Sequence, residues 1–417
     1  MGENSMAEGS TETKNARKVA LQLIVLFGIV SLCGDIVYEG ARSVNGPYLK
    51  TLGANAAMVG LIVGIGEFLG YFIRLISGYF ADKTKAYWVF TITGYGMLIS
   101  VPLLALTGVW QVAAVLMVLE RIGKALRNPS KDTILSQATK VVGTGVGFGI
   151  NEALDQIGAI IGPVIFTVLF ATKGSGTLAD YQKGYSLLWI PFALVMISVF
   201  VAFIRVPNPE MLESTTVRKN ESENITKVFW IYTIFTFVTT IGFANFAILG
   251  YHFKAQQVLT DTEIPLYYAI AMGVDALVAL IIGKLYDVAK AKKKSETGGL
   301  ITLIVIPILT AFIPILGFTK SKGLAISAVI LWGVVMGTHE TVMKSAIADI
   351  TPMKKRGTGY GVFNTAYGLA LLAGSALMGL LYDISINGII ILSVVAEIIA
   401  IPLFFIMRKE AIAREAS

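Results

Sequence analysis

Cysteine occurs once in 417 residues, at Cys33, and histidine only twice. One cysteine excludes a disulfide scaffold. Two histidines and one cysteine leave no His/Cys metal cluster to build, and no resident cofactor is expected. Charge is scarce as well. Asp, Glu, Lys and Arg make up 15% of the chain, against roughly 25% in a soluble domain. A soluble protein of this length would need more polar residues to cover its surface. No G-x-x-x-x-G-K-[ST] phosphate cradle occurs, so ATP-driven transport has no support. No nucleophile elbow or hydrolase-like carboxylate pair stands out either, so no enzyme is expected. What abounds is apolar: 55% of residues are hydrophobic and the mean hydropathy is +0.72. That excludes a disordered chain and implies a protein that crosses a lipid bilayer many times. The net charge of +7 does not signal nucleic acid. Lys and Arg sit in short clusters between apolar runs, as in the cytoplasmic loops of membrane proteins.

A membrane-spanning helix needs roughly 20 apolar residues. Twelve such segments follow a polar stretch, near 19–44, 56–80, 88–107, 110–138, 143–170, 184–205, 228–253, 264–288, 299–318, 323–350, 357–382 and 386–407. The spacing predicts an all-α membrane protein with twelve transmembrane helices. Its expected parts are a disordered tail over 1–18, a six-helix bundle over 19–205, a linker over 206–227, a second six-helix bundle over 228–407, and a tail over 408–417. With the N-terminus inside, twenty Lys and Arg (Arg205 at its span's edge included) fall on the cytoplasmic side. Six fall opposite: Lys50, Lys173, Lys183, Lys254, Lys320 and Lys322. The positive-inside rule then puts both termini in the cytoplasm of a cell with this plasma (inner) membrane protein. The sequons at Asn220 and Asn224 should carry no glycan there.

The halves repeat one another. Gly78 to Asp82 at the end of span 2 matches Gly283 to Asp287 at the end of span 8. Gly143 to Gly147 matches Gly357 to Gly361. A duplication of this kind implies two pseudo-symmetric bundles and a solute path between them near the bilayer midplane.

Three motifs make the chain resemble a transporter of the major facilitator superfamily, over essentially all twelve spans. The loop after span 2 carries Gly78, Asp82 and Lys83, then Lys85, in the pattern G-x-x-x-D-[RK]; the family's next glycine is Ala86 here. The resemblance implies a cytoplasmic gate at Gly78, Asp82 and Lys83, repeated at Asp287, that closes on the start of span 11 near Gly357. Span 5 carries Gly149, Gly158, Gly162 and Pro163 at the spacing of the family's antiporter branches, with Phe166 and Thr167 where a glycine pair would stand. Small residues and a proline also make a closely packing helix that bends. Span 4 carries Arg121 at mid-depth, as the family does. The family implies two bundles rocking about a central site.

Each ionisable group within a span costs roughly 2.5–3.5 kcal/mol or more, which makes it a functional candidate. Asp35 and Glu39 are four apart and share a face of span 1. Two carboxylates so close cannot both ionise freely in a low dielectric, which suits a proton carrier. Family antiporters resemble this arrangement, so Asp35 and Glu39 are the first proton-coupling candidates, with Arg121 as partner. Glu152 and Asp155 in span 5 come next, then Glu340. Glu120, Lys124, Arg127 and Lys131 form one stripe down span 4. Substrate-path candidates are Glu67, Lys124, Arg127, Asp275, His339, Trp332, Asn364 and Tyr367. Acids and bases balance in the first half, so many of these charges could equally be fixed pairs. A cavity charged on one wall and aromatic on the other suits an amphipathic small molecule.

These features lead to a secondary transporter, first as a proton-coupled antiporter exporting a small organic molecule. Second stands a proton symporter importing an organic anion or other polar solute. A non-transporting receptor or lipid scramblase is the third reading. Expected partners are the solute, protons and the lipid bilayer, and one chain holds all the spans a monomer needs.

Overall fold

The computed structural model describes residues 2–142, 144–173, 176–208, 225–293, 295, 297–351 and 356–416. They are helical, and no strand occurs among them. Spans 1 to 6 are Gly2–Thr51, Ala56–Thr84, Tyr87–Leu106, Trp110–Val142, Thr144–Lys173 and Leu178–Arg205. Spans 7 to 12 are Lys227–Ala255, Glu263–Lys293, Gly298–Gly317, residues 322–350, Arg356–Ile384 and Ile386–Ala416. Eleven of the twelve are long and apolar enough to cross a membrane. Span 4 misses on composition, because Glu120, Arg121, Lys124, Arg127, Lys131 and Asp132 crowd one helix. An even number of passes leaves both termini at one end of the molecule.

Residues 2–18, expected as a disordered tail, continue span 1 as helix. Ala, Glu, Lys and Arg are good helix formers, and a helix already nucleated by the span propagates at little cost. Residues 408–416 likewise extend span 12. The sequons at Asn220 and Asn224, residues 209–224 of the linker, and Gly143 lie outside the described residues.

Local signals set the helix starts. Asn55 caps span 2 by accepting from the Met58 N–H at 2.9 Å. Thr177 and Asp180 form a reciprocal capping box at span 6, which satisfies two of the amides orphaned at a helix start. Lipid-facing positions stay apolar, as at Ile204, Leu280 and Ile384.

The two halves pack alike. Gly78 of span 2 faces Pro129 of span 4, and Gly283 of span 8 faces Thr341 of span 10. Within the first bundle, spans 1 and 5 form the tightest seam. Gly158 lies against Leu32 and Asp35, and Gly162 against Ile36 and Gly40. A side chain at either glycine would meet the span 1 backbone, so half of the span 5 motif is a packing seam. Between bundles, span 2 packs on span 11, span 5 on span 8, and span 1 on span 7.

Span 7 is broken at residues 243–245 and restarts at Asn245, whose side chain accepts from the Ile248 N–H at 3.0 Å. A break in a membrane frees backbone groups that must find partners. Here the Trp332 indole donates to the Ala244 carbonyl at 3.1 Å, and the Ser393 hydroxyl to the Gly242 carbonyl at 2.6 Å. Span 10 opens into one π-helical turn at His339–Met343, a feature that frequently marks functional sites.

Candidate functional site: a central charged cavity

A cavity of about 790 Å³ separates the bundles. Its floor is Phe243, Asn245, Trp332 and Ser375, and its walls run to Asp132, Gly149 and Tyr360 near the termini end. It opens there. The opposite end is closed by contacts between bundles. The Asp383 carboxylate accepts from the Ala57 N–H at 3.0 Å, at the positive end of span 2. Lys254 lies 2.5 Å from Asp261, which also accepts from the Tyr181 hydroxyl, and Lys254 reaches the Gly176 carbonyl at 3.5 Å. Beside them Gly46 packs on the Ala247 backbone, where no Cβ would fit.

The first bundle supplies a chain of alternating charges. Arg42 lies 3.6 Å from Glu39 and 3.8 Å from Glu67. Arg121 lies 3.1 Å from Glu67 and 3.6 Å from Glu120. Three carboxylates thus share two guanidiniums, and Lys124 and Arg74 lie within electrostatic reach of Glu67. Glu39 sits at the end of the chain, only 7% exposed. It accepts a hydrogen bond from the Tyr268 hydroxyl, which belongs to the other bundle. Arg121 also donates to the Tyr38 hydroxyl, and the Lys124 ammonium sits 3.5 Å from the centre of the Tyr38 ring. The opposite wall is aromatic: Phe363 stacks on Tyr367, and Phe243 on Trp332.

A family model described as the Major Facilitator Superfamily matches residues 27–374. The chain belongs to the major facilitator superfamily. It is therefore a multi-pass membrane protein and a secondary transporter of a small molecule. An uncharacterised protein of Mycobacterium tuberculosis is 37% identical to it over 400 residues, 94% of this chain and 95% of its own. An uncharacterised MFS-type transporter of Methanocaldococcus jannaschii is 25% identical over 382 residues, 87% of this chain and 89% of its own. Among solved structures, a POT family transporter in complex with 5-aminolevulinic acid has a TM-score of 0.74 at 15% identity, over 93% of this chain and 96% of that one. An inward-facing, unoccupied bacterial homologue of the human lysosomal transporter Spinster has a TM-score of 0.66 at 13% identity, over 95% and 98%. These two likenesses are of fold.

The cavity of this transporter gathers many of the residues singled out from the sequence. Glu39, Glu67, Arg121, Lys124, Glu152, Asp155, His339, Glu340, Trp332, Asn364, Tyr367 and Gly149 all line it. Others lie behind the wall. Arg127, expected on the path, is buried and runs across the Tyr95 ring at 4.8 Å toward the Gly94 carbonyl. Helix phase explains the split of the span 4 stripe. Asn128 and Lys124 face the cavity, while Glu120 and Arg127 sit roughly 40–100° round toward span 3. Asp275, also expected on the path, is 3% exposed and packs beside Gly337 in the seam of spans 8 and 10. Asp35 lies in the span 1–5 seam, facing Asp155, Lys124 and Lys131. Arg121, expected to partner Asp35 or Glu39, pairs with Glu67 and Glu120 instead.

Gate residues stand apart in this state. Asp82 is exposed and accepts from the Tyr87 hydroxyl at 3.1 Å, within its own bundle. Lys83 lies over the Tyr79 ring, and Asp287 is exposed. Among the described residues Asp82 and Lys83 make no hydrogen bond or ion pair to the second bundle, while Leu75 of span 2 packs on Gly361 of span 11. Sequence reasoning missed Tyr38 and Tyr268 as part of the charge chain. Arg42 carried a signal, three residues after Glu39 on one face; the tyrosines carried none.

Proposed function

We propose that this secondary transporter is a proton-coupled antiporter that exports a small organic molecule. The carrying observation is the charge chain of Glu39, Arg42, Glu67, Arg121 and Glu120, joined to the second bundle through Glu39 and Tyr268. A proton on Glu39 weakens its hold on Arg42 and alters the Tyr268 contact between bundles. Proton binding is thereby tied to the relative position of the bundles, which is what alternating access requires. Asp35, Arg121, Glu152, Asp155 and Glu340 are supporting members of this proton path.

Exchange rather than co-transport is favoured by Glu152 and Asp155. Both face the cavity without an ion-pair partner among the described residues. A proton and a positively charged solute group compete for such carboxylates, so one leaves as the other binds. The span 5 glycines Gly158 and Gly162, with Pro163, agree with the antiporter resemblance. The clustering of Lys and Arg supports a cytoplasmic side for the termini, and so for the open mouth, where an exporter loads.

A second reading, symport of an organic anion, draws on Lys124 and Arg74, which also face the cavity without a carboxylate partner among the described residues. Flux separates the two. In proteoliposomes holding a pH-sensitive dye, antiport moves protons against the solute and symport moves them with it. Proton movement with the solute removes the antiport reading.

A further inference from the structure

The charges that line the cavity divide into those already satisfied and those left over. Glu39, Arg42, Glu67 and Arg121 satisfy one another, and Lys131 lies 3.7 Å from Asp132. Four more on the first bundle form no ion pair among the described residues. Lys124 lies on the face of Tyr38, with Asp35 and Glu67 within electrostatic reach. Arg74 lies over Tyr71, and its Nε has no hydrogen-bond partner among the described residues. Glu152 takes the Gln156 amide, at 3.4 Å. Asp155 has Asp35 and Lys131 within electrostatic reach. The cations sit on spans 2 and 4, while the acids sit three residues apart on one face of span 5. The cavity thus has a positive and a negative strip on one bundle, and a largely aromatic wall, with Glu340, on the other.

We infer that the transported solute is a zwitterion with an apolar body, its anionic group at Lys124 and Arg74 and its cationic group at Glu152 and Asp155. A charge held away from water without a partner is costly. A simple cation leaves Lys124 without an ion pair, and a simple anion leaves Asp155 without one; a solute carrying both signs pairs with both strips. An apolar body completes the match with Tyr367, Phe363 and Trp332. The inference rests on the reading of this cavity as the solute site, and not on proton coupling.

Equilibrium binding to the purified full-length protein in lipid nanodiscs tests it. The probes are phenylalanine, its methyl ester and N-acetylphenylalanine, which share a body but are zwitterion, cation and anion. Leucine in the same three forms supplies a second body. In at least one set the zwitterion should bind about tenfold or more tightly than both relatives, the worth of one charge-assisted contact. The double variant Glu152→Gln/Asp155→Asn should close the gap between zwitterion and N-acetyl form. Lys124→Gln should close the gap to the methyl ester, and Lys124→Arg should keep both gaps. Equal binding of all three forms, no binding by any form at millimolar concentration, or a uniform loss in both variants overturns the inference. A crossed pattern in binding with no proton flux in liposomes would instead remove the coupling reading alone.

Discussion

The proposed coupling turns on Glu39. It ends a chain in which Glu39, Glu67 and Glu120 share Arg42 and Arg121, and it takes a hydrogen bond from Tyr268 of the other bundle. Glu39→Gln keeps the shape and removes the charge. We expect it to fold, and to lose solute accumulation against a gradient by at least about tenfold, while downhill exchange survives. Paired flux assays with and without a pH gradient read this. Arg121 is different, because its loss leaves the buried Glu120 without an ion pair and Glu67 with Arg42 alone. Arg121→Ala should destabilise the protein by about 3–5 kcal/mol, the cost of breaking a buried pair from one side, seen as a lower thermal transition in detergent. Arg121→Lys should recover only part, since an ammonium cannot fork between Glu67, Glu120 and Tyr38. That a charge chain exists was legible from the acids and bases in spans 1, 2 and 4. Its pairing was not. Helix period shows which residues share a face, but not which helix that face meets, and so Arg121 could not be assigned to Glu67 rather than Asp35. Tyr268 lies in an apolar stretch and carries no charge, so nothing in its sequence surroundings marks it.

The helices show the same limit from another side. Hydropathy exposes twelve passes, and the glycines of span 5 announce close packing. Gly158→Val should therefore push on the span 1 backbone at Leu32. We expect a loss of about 1–3 kcal/mol, as overpacking typically costs, with Gly149→Val far milder because none of the described residues would meet its Cβ; thermal denaturation of both variants checks the order. The break in span 7 is less legible. Its sequence, Phe243, Ala244, Asn245, holds neither proline nor glycine. The break persists because Asn245 caps the second half and Trp332 satisfies the Ala244 carbonyl, and both are tertiary facts. Trp332→Phe keeps the aromatic body but orphans that carbonyl. A loss of about 1–3 kcal/mol is expected, again by thermal denaturation, together with weaker solute binding.

At the scale of the whole molecule, one end is open and the other is latched. Asp383 of span 11 holds the start of span 2, and Asp261 before span 8 is tied with Lys254 to Gly176 and Tyr181 at the start of span 6. Asp82 and Asp287, singled out from the sequence, belong to the end that is open, and Asp82 rests on Tyr87. Asp383 went unnoticed because its partner is a backbone amide, which no sequence displays. Asp261→Asn with Asp383→Asn should shift the population toward opening at the latched end. Spin labels at Leu52 and Gln257, one on each bundle at that end, should report a longer distance population than in the parent. An unchanged distribution would show the latches to be incidental. On the proposed function, proton and solute exchange through one alternating-access cavity governed by Glu39. Internal pH in proteoliposomes under an imposed solute gradient tests this. Lipophilic cations, amino acids, sugars and organic anions would be screened, in parent protein and in Glu39→Gln. At least one solute should drive protons in the direction opposite to its own movement, and Glu39→Gln should abolish this flux. Protons moving with the solute, or a Glu39→Gln response equal to the parent, would contradict it.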